Sequence, residues 1–92
     1  MTIHDIQTLV CCAFGISQLD LLSRRRGRVQ ARPRQVAMWL ARHTTPCSLP
    51  EIGRAFDRDH TTVMHGIEQV EARMAEDPGF AATVRELRET VA

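Results

Sequence analysis

Apolar residues recur at helical spacing through most of the chain. Ile3, Ile6, Val10, Ala13 and Phe14 lie three or four apart, with Leu9 widening the stripe, which predicts an amphipathic helix over 2–14. Thr2 and Asp5 make a capping-box pair at its start, and Gly15 is a natural stop. Ser17 and Asp20 suggest a second cap, opening a short turn expected to bury Leu19 and Leu22. Val36, Ala37, Leu40 and Ala41 define the core stripe of a helix predicted over 33–43. Pro33 suits its first turn, where a missing N–H costs nothing, and Trp39 falls at the stripe's edge. Ser48-Leu49-Pro50-Glu51 is another capping box, after which Leu49, Ile52, Ala55 and Phe56 face inward and Gly53 permits close helix approach. Asp57 and Arg58 form a tight break. Asp59 then caps a helix reaching about Glu76, with Val63, Ile67, Val70 and Met74 inward. Asp77-Pro78-Gly79 breaks the chain again before a last helix carrying Phe80, Val84, Leu87 and Val91 on one side. The pattern is all-α and compact, without internal repeats.

Composition narrows the class. A chain of 92 residues suits a single domain spanning 1–92, and 43% apolar content is too high for a disordered tail. No run of 18 or more apolar residues exists to span a membrane, and no secretory signal pattern opens the chain. Three cysteines, two of them adjacent (Cys11, Cys12), do not make a disulfide scaffold; a reducing cytoplasm fits them best. Cys47, His4 and His43 complete the soft-ligand inventory, but without a Cys-x-x-Cys pair no metal site is expected, and no cofactor is implied.

The near-neutral net charge of +1 conceals a segregation. All 12 basic side chains are Arg; seven lie between Leu21 and Pro50 without one acid, whereas 51–92 holds nine acids and five Arg. A solvated charge loop is the usual fate of such a run, but seven uncompensated Arg point to a polyanion. Residues 23–30, Ser-Arg-Arg-Arg-Gly-Arg-Val-Gln, have no apolar period and read as an exposed basic loop. Arg24, Arg25, Arg26 and Arg28 on such a loop suit a narrow minor groove, and Arg32, Arg34 and Arg42 on the next helix suit phosphates. The capped helix pair over about 48–75 has helix-turn-helix spacing, in which the second helix enters a major groove by its N-terminal end. His60, Thr61, Thr62 and His65 would face outward there, each able to donate or accept at a base edge, and the backbone amides of this helix end suit phosphate. The plainer alternative is a helical hairpin with a polar face. Asp59 and His60 are adjacent, but with no nucleophile in evidence base contact is the better reading, and no enzyme is expected.

At these residues the chain resembles the C-terminal DNA-binding domain of the bacterial replication initiator DnaA, from end to end. Arg58-Asp59-His60-Thr61-Thr62-Val63 is similar to that family's recognition-helix signature, and residues 48–56 to the helix before it. Leu21-Leu22-Ser23-Arg24-Arg25-Arg26 is similar to its basic loop, and residues 31–38 to the helix that follows. The resemblance implies a Trp-repressor-like helical fold binding an asymmetric TTATNCACA-type box in double-stranded DNA. It places Arg26 in the minor groove, Arg34 and Gln35 on the DNA nearby, and Asp59, His60, Thr61 and Thr62 at the recognition end; Arg42, Ser48, Leu49, Arg58 and His65 complete the expected DNA-binding set. It further implies a monomer on DNA, associated with the nucleoid, controlling replication initiation or transcription. Two departures stand out. The family has two glycines between the Phe and the Arg-Asp-His, where this chain has only Asp57. The chain also lacks Gly-x-x-x-x-Gly-Lys-[Ser/Thr], so no nucleotide is expected to bind, and either a stand-alone relative or a piece of a longer initiator fits. The rival reading is a protein-interaction module of this family whose DNA face is weakened by the shortened turn.

Overall fold

The computed structural model describes residues 1–23 and 28–91, and of residues 28–30 the backbone alone. It contains six helices: α1 (Ile3–Phe14), α2 (Gln18–Leu22), α3 (Arg28–Thr44), α4 (Leu49–Phe56), α5 (His60–Glu76) and α6 (Pro78–Val91). No strand occurs among the described residues. No helix among them is long and apolar enough to cross a membrane.

The caps are where the sequence puts them. Thr2 caps α1 and Ser48 caps α4, each in a reciprocal capping box with the acid three residues on. Ser17 caps α2 and Asp59 caps α5 through single side-chain acceptors. Each side-chain oxygen satisfies an amide that the first helical turn leaves without a partner.

The long α3 is the central element, packed against all the other helices. Val36, Ala37, Leu40 and Ala41 are fully buried along it, and Trp39 is only 5% exposed. The Trp39 ring leans on His43, with centroids 4.2 Å apart, and the Arg88 guanidinium of α6 lies over the Trp39 ring, 5.8 Å from its centroid. Ile6 and Val10 of α1, Ile52 and Phe56 of α4, Val63 of α5 and Val84 of α6 complete the core at zero exposure. Gly66 is where α5 crosses α3. A β-carbon there would press on Gln35 Cγ at 3.2 Å and Met38 Sδ at 3.3 Å, so the glycine sets how closely the two helices approach. Gln7, a polar residue buried in α1, donates through Nε2 to the Ala55 carbonyl at 3.1 Å and ties α1 to the end of α4.

Two expectations are corrected. In α2 it is Leu21 that is fully buried, while Leu19 is 83% exposed and Leu22 half-buried. Positions 19 and 21 differ by about 200° around a helix, so a single helical turn cannot bury both. Residues 28–30, assigned to the basic loop, instead form the first turn of α3, which places Pro33 inside the helix rather than at its start. Proline there forfeits one bond, to the Val29 carbonyl. Near an N-terminus, where several amides are unpaired in any case, that loss does not end the helix.

Candidate nucleic-acid interface

The turn between α4 and α5 is built around Gly53 and Asp57. Asp57 takes a left-handed conformation (φ 53°, ψ 47°) at the end of α4. The Arg58 N–H then reaches back to the Gly53 carbonyl at 2.8 Å, and the Asp57 N–H to the Arg54 carbonyl at 3.3 Å. This pair of reversed bonds is the Schellman arrangement that glycine usually closes. Gly53 has no room for a side chain, because a β-carbon would collide with the Arg58 main-chain carbonyl. The chain passes within two residues from the left-handed Asp57 to the extended Asp59 that caps α5, so the single residue between Phe56 and Arg58 makes a complete turn.

Beyond that cap, α5 divides cleanly. Val63, Gly66, Ile67 and Val70 are buried. His60, Thr61, Thr62 and His65 are all exposed and stand on the outward face. Met64 joins them with 41% exposure, a large apolar side chain that sequence reasoning missed. Its signal was its place one residue off the Val63–Ile67–Val70 stripe. Glu68 follows on the same face. Arg42, at the exposed end of α3, lines one shallow groove with Leu49, Met64 and Glu68, next to the Ser48 cap of α4. Ser48 itself is exposed and Leu49 half-buried. Gln35, half-buried, packs its stem near Gly66.

Three candidates are engaged inside the protein. The Asp59 carboxylate accepts from the Thr62 N–H at 2.7 Å. That bond, with the Thr62 side chain, holds its carboxyl below the ordinary range. An anion of the protein's own therefore already occupies the helix terminus that the sequence offered to a phosphate. Arg34 donates through Nε to the Leu21 carbonyl at 2.8 Å and through Nη2 to the Ser23 carbonyl at 2.9 Å. Arg58 donates through Nη2 to that same Ser23 carbonyl at 2.8 Å and through Nη1 to the carbonyls of Phe56 and Asp57. Burial, and then the neighbouring Arg58 charge, lower the affinity of the Arg34 guanidinium for its proton. Arg28 lies in the first turn of α3, and Arg24, Arg25 and Arg26 fall outside the described residues. Among the described residues no group of His, Cys, Asp and Glu could hold a metal ion.

A short capped helix, a three-residue turn and a longer helix with a polar, outward N-terminal face define the class as a helix-turn-helix domain. The chain matches the family model of the bacterial dnaA protein helix-turn-helix over residues 3–70 and belongs to that family. It is 56% identical over 79 residues to the chromosomal replication initiator protein DnaA of Caulobacter sp. (strain K31), covering 85% of this chain and 16% of that protein. Against the initiator of Sphingopyxis alaskensis it is 46% identical over 92 residues, covering 99% of this chain and 20% of the relative. The chain thus spans a fifth or less of these relatives. A crystal structure of a DNA replication initiation factor superposes with a TM-score of 0.87 at 34% identity, over 97% of this chain and 27% of that one.

Proposed function

We propose that this chain is a sequence-specific double-stranded DNA-binding domain that reads a DnaA-box-like site of the TTATNCACA type as a monomer. The observation that carries the reading is the first two turns of α5, where His60, Thr61, Thr62, Met64 and His65 are exposed together behind a buried Val63–Gly66–Ile67 stripe. In a major groove the imidazoles and hydroxyls reach base edges, and the threonine methyls and Met64 meet thymine methyls. The arginine-rich segment 24–28 takes the adjoining minor groove, where a narrow A·T-rich wall favours guanidinium. Arg42, Ser48 and Leu49 lie beside the recognition end, where backbone phosphates pass. The role that follows is occupancy of such boxes in the nucleoid, in control of replication initiation or transcription, without nucleotide binding by residues 1–92.

The test is fluorescence anisotropy with a labelled box duplex and a scrambled duplex of equal composition, titrated at several salt concentrations. A preference of at least tenfold for the box is the expected result. The slope of log K against log salt should lie near −4, about −0.9 for each of ~4–5 neutralised phosphates. Equal binding to both duplexes overturns the sequence-reading proposal.

A second reading has one observation in its favour. Asp57 and Asp59 place two exposed carboxylates beside the recognition end, where phosphates would pass. A domain whose recognition face serves a protein partner would carry such charge without loss, and it would show no binding to either duplex.

A further inference from the structure

Arg34 and Arg58 have the composition of phosphate contacts and the geometry of something else. Arg34 springs from α3, and Arg58 from the turn before α5. They are 24 residues apart in the chain (58 minus 34), yet both donate to the Ser23 main-chain oxygen, at 2.9 and 2.8 Å. Arg34 also holds the Leu21 carbonyl at 2.8 Å, and Arg58 the Phe56 carbonyl at 3.0 Å. Leu21 and Ser23 end α2, and Phe56 ends α4; terminal carbonyls of this kind lack partners within their own helices and carry the negative end of the helix dipole. Two half-buried guanidinium forks therefore join the ends of α2 and α4 to the body of α3 through one shared acceptor.

The position of that acceptor gives the arrangement its consequence. Ser23 is the residue from which the chain enters the arginine-rich segment, and Arg58 is two residues from His60. The shared carbonyl fixes where the basic segment departs relative to where the recognition helix begins. On the DNA-reading proposal above, on which this inference rests, those are the two elements that enter different grooves. We infer that Arg34 and Arg58 are positioning residues that set the offset between the two groove-reading elements, and that they act on sequence discrimination rather than as phosphate contacts.

A lysine at position 58 keeps the charge but cannot span two carbonyls with a planar fork. The experiment compares wild type with Arg58→Lys, Arg58→Ala, Arg34→Ala and the double variant Arg34→Ala/Arg58→Ala. Each is measured on box and scrambled duplexes across a salt series, after circular dichroism has confirmed wild-type helicity. The expected result is a two- to threefold loss of the box-to-scrambled ratio in each single variant, Arg58→Lys included. The salt slope should be unchanged, and the double variant should lose less than the product of the singles, because both act on one carbonyl. The Arg34 Nε–H should exchange slowly with solvent in the free wild-type protein and stay as slow in the complex, a measurement that needs no variant to fold. Three results overturn the inference: a slope reduced by about 0.9 per arginine removed, equal loss on both duplexes with rescue by Arg58→Lys, or an Arg34 Nε–H that exchanges freely in the free protein. Those outcomes leave the DNA-reading proposal standing, whereas a wild-type chain that cannot tell box from scrambled duplex removes both.

Discussion

The Arg58 main chain is folded directly against Gly53. Its N–H bonds the Gly53 carbonyl at 2.8 Å, and its own carbonyl occupies the space a Gly53 side chain would need. Gly53→Ala must therefore open the turn. The obstacle is backbone and cannot swing aside as the end of a long side chain could. The expected cost is about 1–3 kcal/mol, or a fall in Tm on the order of 5–20 °C for a domain of this size. Thermal melting followed by circular dichroism checks this, and an unchanged Tm would show that the turn re-forms around the methyl group.

Asp57 offers the opposite experiment. It is the one non-glycine residue with positive φ among the described residues. A left-handed conformation costs an L-residue roughly 1–2 kcal/mol, which Asp and Asn offset in part by local hydrogen bonding. Asp57→Gly is expected to raise stability by about 0.5–1 kcal/mol, and Asp57→Ala to lower it. Asp57→Asn should leave stability nearly unchanged while removing an exposed negative charge beside the recognition end. That variant should bind box and scrambled duplexes alike two- to fivefold more tightly at low salt, with the gain fading as salt screens it. A gain confined to the box would mean that Asp57 touches a base instead.

Three of the carboxylates that serve as helix-cap partners are held below their ordinary range by the bonds they accept. Asp5 is lowered by the Thr2 amide and hydroxyl, Glu51 by those of Ser48, and Asp59 by the Thr62 amide and side chain. A carboxyl depressed in the folded state contributes stability that is complete above its unfolded value. That contribution is lost as pH falls through the ordinary carboxylate range toward the folded one. Stability should accordingly be flat in these groups at neutral pH and decline below about pH 4. Asp59→Asn keeps a good N-cap without a titrating group, so its neutral-pH Tm should stay near wild type while its acid decline becomes shallower. Coincident acid limbs for the two proteins would show that the Asp59 cap does not contribute.

Much of this fold is legible in the sequence because its signals are local. Thr2/Asp5, Ser17/Asp20, Ser48/Glu51 and the Asp59 cap each lie within one turn, and each appears where the residue pattern expects it. The outward face of α5 follows from the same periodicity that buries Val63 and Ile67. What escapes is long-range or overrides propensity. No local rule announces that Arg58 will reach a carbonyl 35 residues away at Ser23, and an arginine beside a recognition signature reads as a DNA contact. Nor does an Arg-Val-Gln run without an apolar stripe announce a helix. Residues 28–30 are helical as the first turn of an element whose stability comes from Val36 to Ala41. Gln7 reads as a solvent residue until the Ala55 carbonyl is placed beside it.

The two grooves should be separable by substitution. His60 is exposed in the first turn of α5, immediately after the Asp59 cap, the part of the helix that on the proposed function meets base edges. His60→Ala should cost on the order of 1–3 kcal/mol on the box. It should relax discrimination at the end the recognition helix covers and leave scrambled DNA nearly untouched. Arg26 belongs to the basic segment, to which the proposed function gives the minor groove. Arg26→Ala should cost a similar amount on the intact box. Its penalty should shrink once G·C pairs replace the A·T-rich end, because a widened groove has already lost the potential that attracts guanidinium. Arg42, exposed beside Leu49 and Met64, supplies the contrast. As a phosphate contact, Arg42→Ala should weaken every duplex equally and reduce the salt slope by about 0.9. The measurement is a matrix of these three variants and wild type against boxes altered at either end. Losses that track the altered end for His60 and Arg26, but not for Arg42, would place each residue in its groove. If all three variants weaken box and scrambled duplex alike, none of them reads sequence. The shortened turn at Asp57 would then have carried the recognition helix out of reach of the bases, and Asp57→Gly with one further glycine inserted should bring discrimination back.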